Sequence, residues 1–148
     1  MLALPPIGFG TYLMRGEECI TAVREAIDTG YRLIDTAALY DNEQDVGRAI
    51  RESGIPRNEI FVTTKIRGRN HGFDEAQEAC RESLRKLDMD YVDLLLIHWP
   101  NPQNDRYIDT WEAMVELKED GLVGNIGVSN FTPATLDRII ERSGVTPA

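Results

Sequence analysis

At 148 residues the chain is long enough for one domain with a real core and too short for two ordinary ones. With 42% hydrophobic and 28% charged residues it is globular in composition, and no apolar run approaches the roughly 20 residues of a membrane span. A net charge of -9, from 25 acidic residues against 16 basic ones, repels nucleic acid and anionic lipid and excludes both as main partners.

The start of the chain, Met1 to Pro6, has no basic region and no sustained apolar stretch, so it does not read as a secretory signal. The two cysteines, Cys19 and Cys80, fall on the apolar sides of predicted helices with no metal-spaced neighbour. They read as reduced, buried thiols of a cytoplasmic protein. Only Lys65, Lys86 and Lys118 are lysines, and so acidic a surface with so few lysines would suit a salt-rich cytosol.

The elements follow one another without a linker or a low-complexity segment. Pro6 to Tyr12 is expected as a first strand. Glu17 to Thr29 then places Ile20, Val23 and Ile27 on one helical face, with Gly30 at the left-handed C-terminal position. Arg32 to Asp35 is a short buried strand. Glu43 to Ser53 is a helix with Val46, Ala49 and Ile50 inward, halted by Gly54 and Pro56. Ile60 to Thr64 is β-branched and strand-like. Asp74 to Leu87 forms a third helix around Ala76, Cys80, Ser83, Leu84 and Leu87. Tyr91 to Ile97 is the most apolar strand. Ile108 to Glu119 is a helix carrying Trp111, Met114 and Val115 and closed by Gly121. Val123 to Val128 is a further strand. Thr132 and Pro133 then start a helix with Leu136, Ile139 and Ile140 inward, ending at Gly144.

Strands alternating with helices in this way predict a parallel sheet, since each parallel pair needs a long crossover. Either an open doubly wound sheet or part of an eight-stranded α/β barrel would satisfy the pattern. The ionisable residues separate the two. Asp35, Lys65 and His98 follow the second, third and fourth strands, and Ser129 and Asn130 follow the fifth, which in a barrel places all of them on one C-terminal rim. The stretch Gly8-Phe9-Gly10-Thr11-Tyr12 lacks the third glycine of a dinucleotide fingerprint, and no helix starts straight after it, so the barrel is preferred.

Taken singly, each rim residue has a plain explanation: Asp35 as a turn cap, Lys65 as a solvated loop lysine, Tyr40 as packing, His98 as a satisfied histidine. Together they make a proton-delivering unit. A phenol is a poor acid at neutral pH, and a nearby ammonium makes its proton easier to give up. Asp35 would hold Lys65 charged and in place, while His98 would hydrogen-bond the substrate oxygen or share the proton of Tyr40. A carbonyl beside such an acid can accept hydride, which no side chain supplies, so a nicotinamide cofactor is expected.

The segment from Gly30 to Ile50, GYRLIDTAALYDNEQDVGRAI, resembles the signature of the aldo-keto reductases. Phe61 to Lys65 (FVTTK), Tyr91 to Pro100 (YVDLLLIHWP) and Gly127 to Phe131 (GVSNF) resemble that family in order and spacing, so the resemblance spans almost the whole chain.

It implies a (β/α)8 barrel that reduces aldehydes and ketones with NADPH or, less often, NADH. Of that barrel, roughly five β-α units are expected here as a single domain over residues 1–148. The resemblance makes Tyr40 the general acid, Asp35 and Lys65 the pair that tunes it, and His98 the group orienting the carbonyl. Gly10, Thr11 and Tyr12 would line the cofactor or substrate cleft, with Asp35 beside the cofactor. Ser129 and Asn130 would hold the nicotinamide carboxamide, and Trp99 would form an apolar wall for the substrate.

His71 matches no catalytic position and is expected as a loop histidine. The family's nicotinamide-stacking residue and its adenosine phosphate site belong to later strands and map onto no residue here. Five strands would leave two open edges. Remaining strands from another polypeptide, a second copy, or a C-terminal half beyond this sequence would each cover them, the first and third being favoured. The alternative function is a binding-only or inactive barrel portion that needs complementation.

Overall fold

In a computed structural model, residues 3–148 are described. A single five-stranded sheet runs in the order β1 (Phe9–Gly10), β2 (Leu33–Asp35), β3 (Phe61–Ile66), β4 (Val92–Ile97), β5 (Val123–Val128). Every strand is parallel to its neighbour and lies beside its predecessor in the chain. A doubly wound sheet reverses its strand order part-way, whereas a barrel never does. The observed order is barrel order, as the rim residues implied.

The helices α1 (Gly16–Asp28), α2 (Glu43–Glu52), α3 (Phe73–Leu87), α4 (Tyr107–Glu119) and α5 (Pro133–Ser143) form the outer layer, each packed against the next. Their inward residues largely follow the sequence pattern: Ile20, Val23 and Ile27 from α1, Val46, Ala49 and Ile50 from α2, and Trp111 and Met114 from α4 are buried, while Val115 is only partly buried and Leu117 takes the inward position. The start of α5 is fixed chemically, with Thr132 and Thr135 bonding each other's backbone N–H groups and Pro133 in the first turn. Gly144 closes it in the left-handed conformation at φ 71°.

Two strands differ from expectation. The first is confined to Phe9–Gly10, and the chain then turns, the Met14 N–H donating to the Thr11 carbonyl at 3.2 Å and Leu13 standing at φ 68°. The third runs on to Ile66, since Lys65 and Ile66 pair with Leu96 and Ile97 of β4. Lys65 is therefore a strand residue and not a loop residue.

Register decides which side chains share a face. Asp35 pairs with Thr63, Thr63 with Leu94, and Lys65 with Leu96, so these side chains lie on the inner face. Thr64, Leu95, Ile66 and Ile97 lie on the helix-covered face and are buried beneath α2 to α4. No described helix is long and apolar enough to cross a membrane. Both thiols are buried, and burial pushes Cys19 up to about 11 and Cys80 up to about 12, so neither is a reactive thiolate at neutral pH.

Candidate active site

The C-terminal ends of β2 and β3 deliver two opposite charges to one point. Lys65 is 7% exposed, and its Nζ donates to Asp35 Oδ1 at 2.6 Å and to the Thr36 carbonyl at 2.9 Å. The ammonium also donates to the Tyr40 hydroxyl oxygen at 3.4 Å. A solvated lysine is thus ruled out. The strand pleat turns this side chain to the inner face, where a charge persists only if it is paired and hydrogen-bonded.

Tyr40 ends a single 3-10 turn, Ala38–Tyr40, that follows β2, and Asp41 reverses the chain behind it at φ 53°. Its ring stands edge-on to His98 with centroids 5.7 Å apart, and tilted against Tyr12 at 5.1 Å. Tyr12 itself is well exposed, as is Trp99.

His98 continues the ladder beyond β4, its N–H donating to the Ile66 carbonyl at 3.0 Å. The side chain is buried with Nδ1 unpartnered. Burial first, and then the Lys65 charge, holds its pKa below the ordinary histidine value, while Asp35 opposes the shift. His98 is accordingly a neutral imidazole at neutral pH.

Ser129 extends β5 by donating its N–H to the Ile97 carbonyl at 2.9 Å. Asn130 stands at φ 62°, a left-handed position that asparagine tolerates better than most residues. Its Nδ2 donates to the His98 carbonyl at 2.8 Å and to Ser129 Oγ at 2.9 Å.

The first loop departs from expectation at one residue. Gly10 is exposed, with open space where a side chain would be, and Tyr12 faces the rim. Thr11, expected in the cleft, is fully buried; both its N–H and its hydroxyl donate to the Asp35 carbonyl, at 3.0 Å and 3.1 Å. It ties the first loop to β2 instead of lining a cavity.

His71 stands in a loop, as expected, between the Gly68–Asn70 turn and α3. It is 1% exposed, both ring nitrogens lack partners, and burial followed by the Arg106 charge holds its pKa down.

Two buried residues escaped the sequence reading. Asn42 stands where α2 begins, a position that ordinarily signals a helix cap, yet it caps nothing. Glu43 is 2% exposed, and its Oε1 accepts from the Thr64 hydroxyl at 2.6 Å. Only the tertiary fold assigns partners to either.

Beside His98 lies a cavity of about 340 Å³ whose lining includes Leu39, Arg67, Arg69, Trp99 and Asn101. A larger hollow of about 430 Å³ opens at the opposite end of the sheet, between the C-termini of α2 and α3 and away from Lys65 and Tyr40. Among the described residues no group of three or more His, Cys, Asp or Glu side chains could hold a metal ion.

The Aldo/keto reductase family matches residues 6–148. The chain belongs to that family. It is 53% identical to 2,5-diketo-D-gluconic acid reductase B of Corynebacterium sp. (strain SHS752001) over 141 residues, covering 95% of this chain and 51% of that protein. An aldo/keto reductase from Brucella melitensis superposes with a TM-score of 0.92 at 51% identity, covering 95% of this chain and 55% of that one. A Gox0644 mutant solved in complex with NADPH superposes with a TM-score of 0.92 at 43% identity, covering 98% and 52%. The chain spans about half the length of the curated relatives it matches. Its five-stranded parallel sheet corresponds to a part of the family's barrel.

Proposed function

We propose that this chain carries the proton-delivering rim of an NADPH-dependent carbonyl reductase, with Tyr40 as general acid. The observation that carries the reading is the buried Lys65 ammonium, held between Asp35 Oδ1 at 2.6 Å and the Tyr40 hydroxyl at 3.4 Å.

The direction of that last bond matters. Lys65 donates to the phenol oxygen, so the O–H proton is free to be given to a substrate oxygen. As the proton leaves, negative charge grows on an oxygen that an ammonium already faces, and no reorganisation is needed to stabilise it. Neutral His98 supplies an N–H to the same carbonyl oxygen. Its low proton affinity keeps a second positive charge away from Lys65. Asp35 balances the ammonium and fixes its position.

The residues after β5 fit the cofactor's carboxamide. Asn130 spends both its N–H groups on His98 and Ser129, which leaves Oδ1 to accept from the amide nitrogen. Ser129 Oγ accepts from Asn130, which leaves its own O–H to donate to the amide oxygen. When bound, the nicotinamide supplies the hydride that the carbonyl carbon receives. NADPH is favoured over NADH because a relative with the same fold over this region was solved with it.

The substrate would be a small aldehyde or ketone, seated in the cavity of about 340 Å³ beside His98 with Trp99 and Leu39 as apolar walls. Relatives are about twice as long, and these residues would supply the acid half of the reaction whether one polypeptide or two complete the barrel.

NADPH oxidation with a simple aldehyde tests it, comparing the parent with Tyr40→Phe. Loss of turnover in Tyr40→Phe with retained cofactor binding is expected. Equal rates would remove Tyr40 from its role, and cofactor binding without turnover in either protein would favour a binding-only barrel.

A further inference from the structure

We infer that Asn42 is a positioning residue for the acid, through a buried clasp that closes the Tyr40-bearing loop and fixes the Lys65 site. Its functional consequence rests on the proposed role of Tyr40, but the clasp itself can be measured without turnover.

The loop from Thr36 to Asn42 carries the Ala38–Tyr40 turn at its tip. Its two ends are bonded to each other, the Thr36 hydroxyl donating to Asn42 Oδ1 at 2.6 Å. Both residues are at most 1% exposed, so water offers neither an alternative partner. The remaining amide atom of Asn42 reaches the first loop, Nδ2 donating to the Thr11 carbonyl at 2.8 Å and to the Met14 carbonyl at 2.9 Å.

These bonds join a closed circuit around the catalytic charges. Thr11 donates its N–H and hydroxyl to the Asp35 carbonyl, at 3.0 Å and 3.1 Å. The Thr36 carbonyl accepts from Lys65 Nζ at 2.9 Å, and the same ammonium reaches Asp35 Oδ1 at 2.6 Å. The path from Asn42 through Thr11, Asp35, Lys65 and Thr36 therefore returns to Asn42. Each member has its position fixed by the one before and the one after.

The amide is chemically specific to this place. It must accept one bond and donate two, a combination available to asparagine and not to aspartate or leucine. An aspartate would set its oxygens against the Thr11 and Met14 carbonyls. A leucine would leave the Thr36 hydroxyl and both carbonyls buried and unpaired. Two parts of the Lys65 environment, the Thr36 carbonyl and the Tyr40 turn, are thus anchored through one side chain.

The test follows the Lys65 ammonium by NMR on the full chain labelled with 15N-lysine. Only three lysines are present, and Lys86 and Lys118 are less buried than Lys65, so one slowly exchanging ammonium signal is expected. Asn42→Leu and Thr36→Val should each speed its hydrogen exchange about tenfold or more, equivalent to about 1.4 kcal/mol of easier opening. Thr36→Ser, which keeps the hydroxyl, should restore the parent rate. Asn125→Leu loses a side-chain bond to the Asp93 carbonyl, 3.2 Å long and remote from the circuit, and should leave the Lys65 signal unchanged.

If Asn42→Leu does not fold, Thr36→Val opens the same clasp from its other end. Folded Thr36→Val protein with parent-like Lys65 exchange would overturn the inference, as would equal acceleration in Asn125→Leu. A failed Tyr40→Phe experiment would remove the acid role and leave this result standing, so the two are separable.

Discussion

Gly47, inside α2, offers a case in which two opposing effects of one methyl group can be weighed. Alanine in place of glycine within a helix ordinarily gains about 1 kcal/mol. Here a Cβ would lie 2.1 Å from the Leu87 carbonyl oxygen and 2.8 Å from the Leu87 Cα. An ordinary contact of this kind begins at 3.4 Å, so the first falls short by 1.3 Å or more. The obstacle is backbone at the last residue of α3, so no rotamer change relieves it and α2 must move as a body. Overpacking of this kind costs about 1–3 kcal/mol, and a backbone obstacle places Gly47→Ala at the upper end. The net is a loss of about 2 kcal/mol, or about 4–8 °C in melting temperature. Thermal unfolding followed by circular dichroism measures it. Gly10→Ala, with nothing within 4 Å of its Cβ, is the control and should melt no lower than the parent. A melting temperature for Gly47→Ala that rises by a few degrees would refute the packing argument, because helix propensity alone would then have decided the outcome.

Other perturbations read the site and its surroundings. Burial raises the Glu43 carboxyl above the ordinary carboxylate value, offset in part by bonds from Thr64 and Ser83 and by the Lys86 charge. A carboxyl with a raised folded pKa stabilises the fold only at low pH, so Glu43→Gln should raise the melting temperature near pH 7 and change it little near about pH 4. His71 and His98 have the opposite sign. Their folded pKa values lie below the usual one, so stability present above about pH 6.5 is lost as the unfolded chain takes up protons on acidification. His71→Leu should therefore flatten the decline in melting temperature between about pH 7 and about pH 5, and a decline as steep as the parent's would show that His71 is not its source. At Asn130, φ 62° separates two costs: Asn130→Gly loses only the bonds to His98 and Ser129, while Asn130→Ala should be less stable than Asn130→Gly by about 1 kcal/mol in denaturant unfolding.

The order of elements was legible in the sequence because it is written in period. Buried Val46, Ala49 and Ile50 recur at helical spacing, and Val123 to Val128 is bounded as a strand on both sides, so local pattern sufficed. The barrel reading, the rim placement of Asp35, Lys65, His98, Ser129 and Asn130, and the family resemblance came the same way, since chemistry-bearing residues at strand ends announce themselves by type and spacing.

Proximity decided the rest. Whether Lys65 is a solvated side chain or a buried ammonium depends on the register between β2, β3 and β4, and no local pattern reports register. The family resemblance made Thr11 a cleft residue along with Gly10 and Tyr12, yet its hydroxyl is claimed by a carbonyl 24 positions along the chain. Asn42 passed unnoticed, because its amide donates to the Thr11 and Met14 carbonyls, 31 and 28 positions away. His71 is the loop histidine that the sequence suggested, but its burial belongs to the packing around it and is not written in its neighbours. A sequence states which groups a chain possesses and how its elements alternate. Which groups meet in a dry interior, and so which of their charges and hydrogen bonds carry chemistry, is fixed only when distant strands are brought side by side.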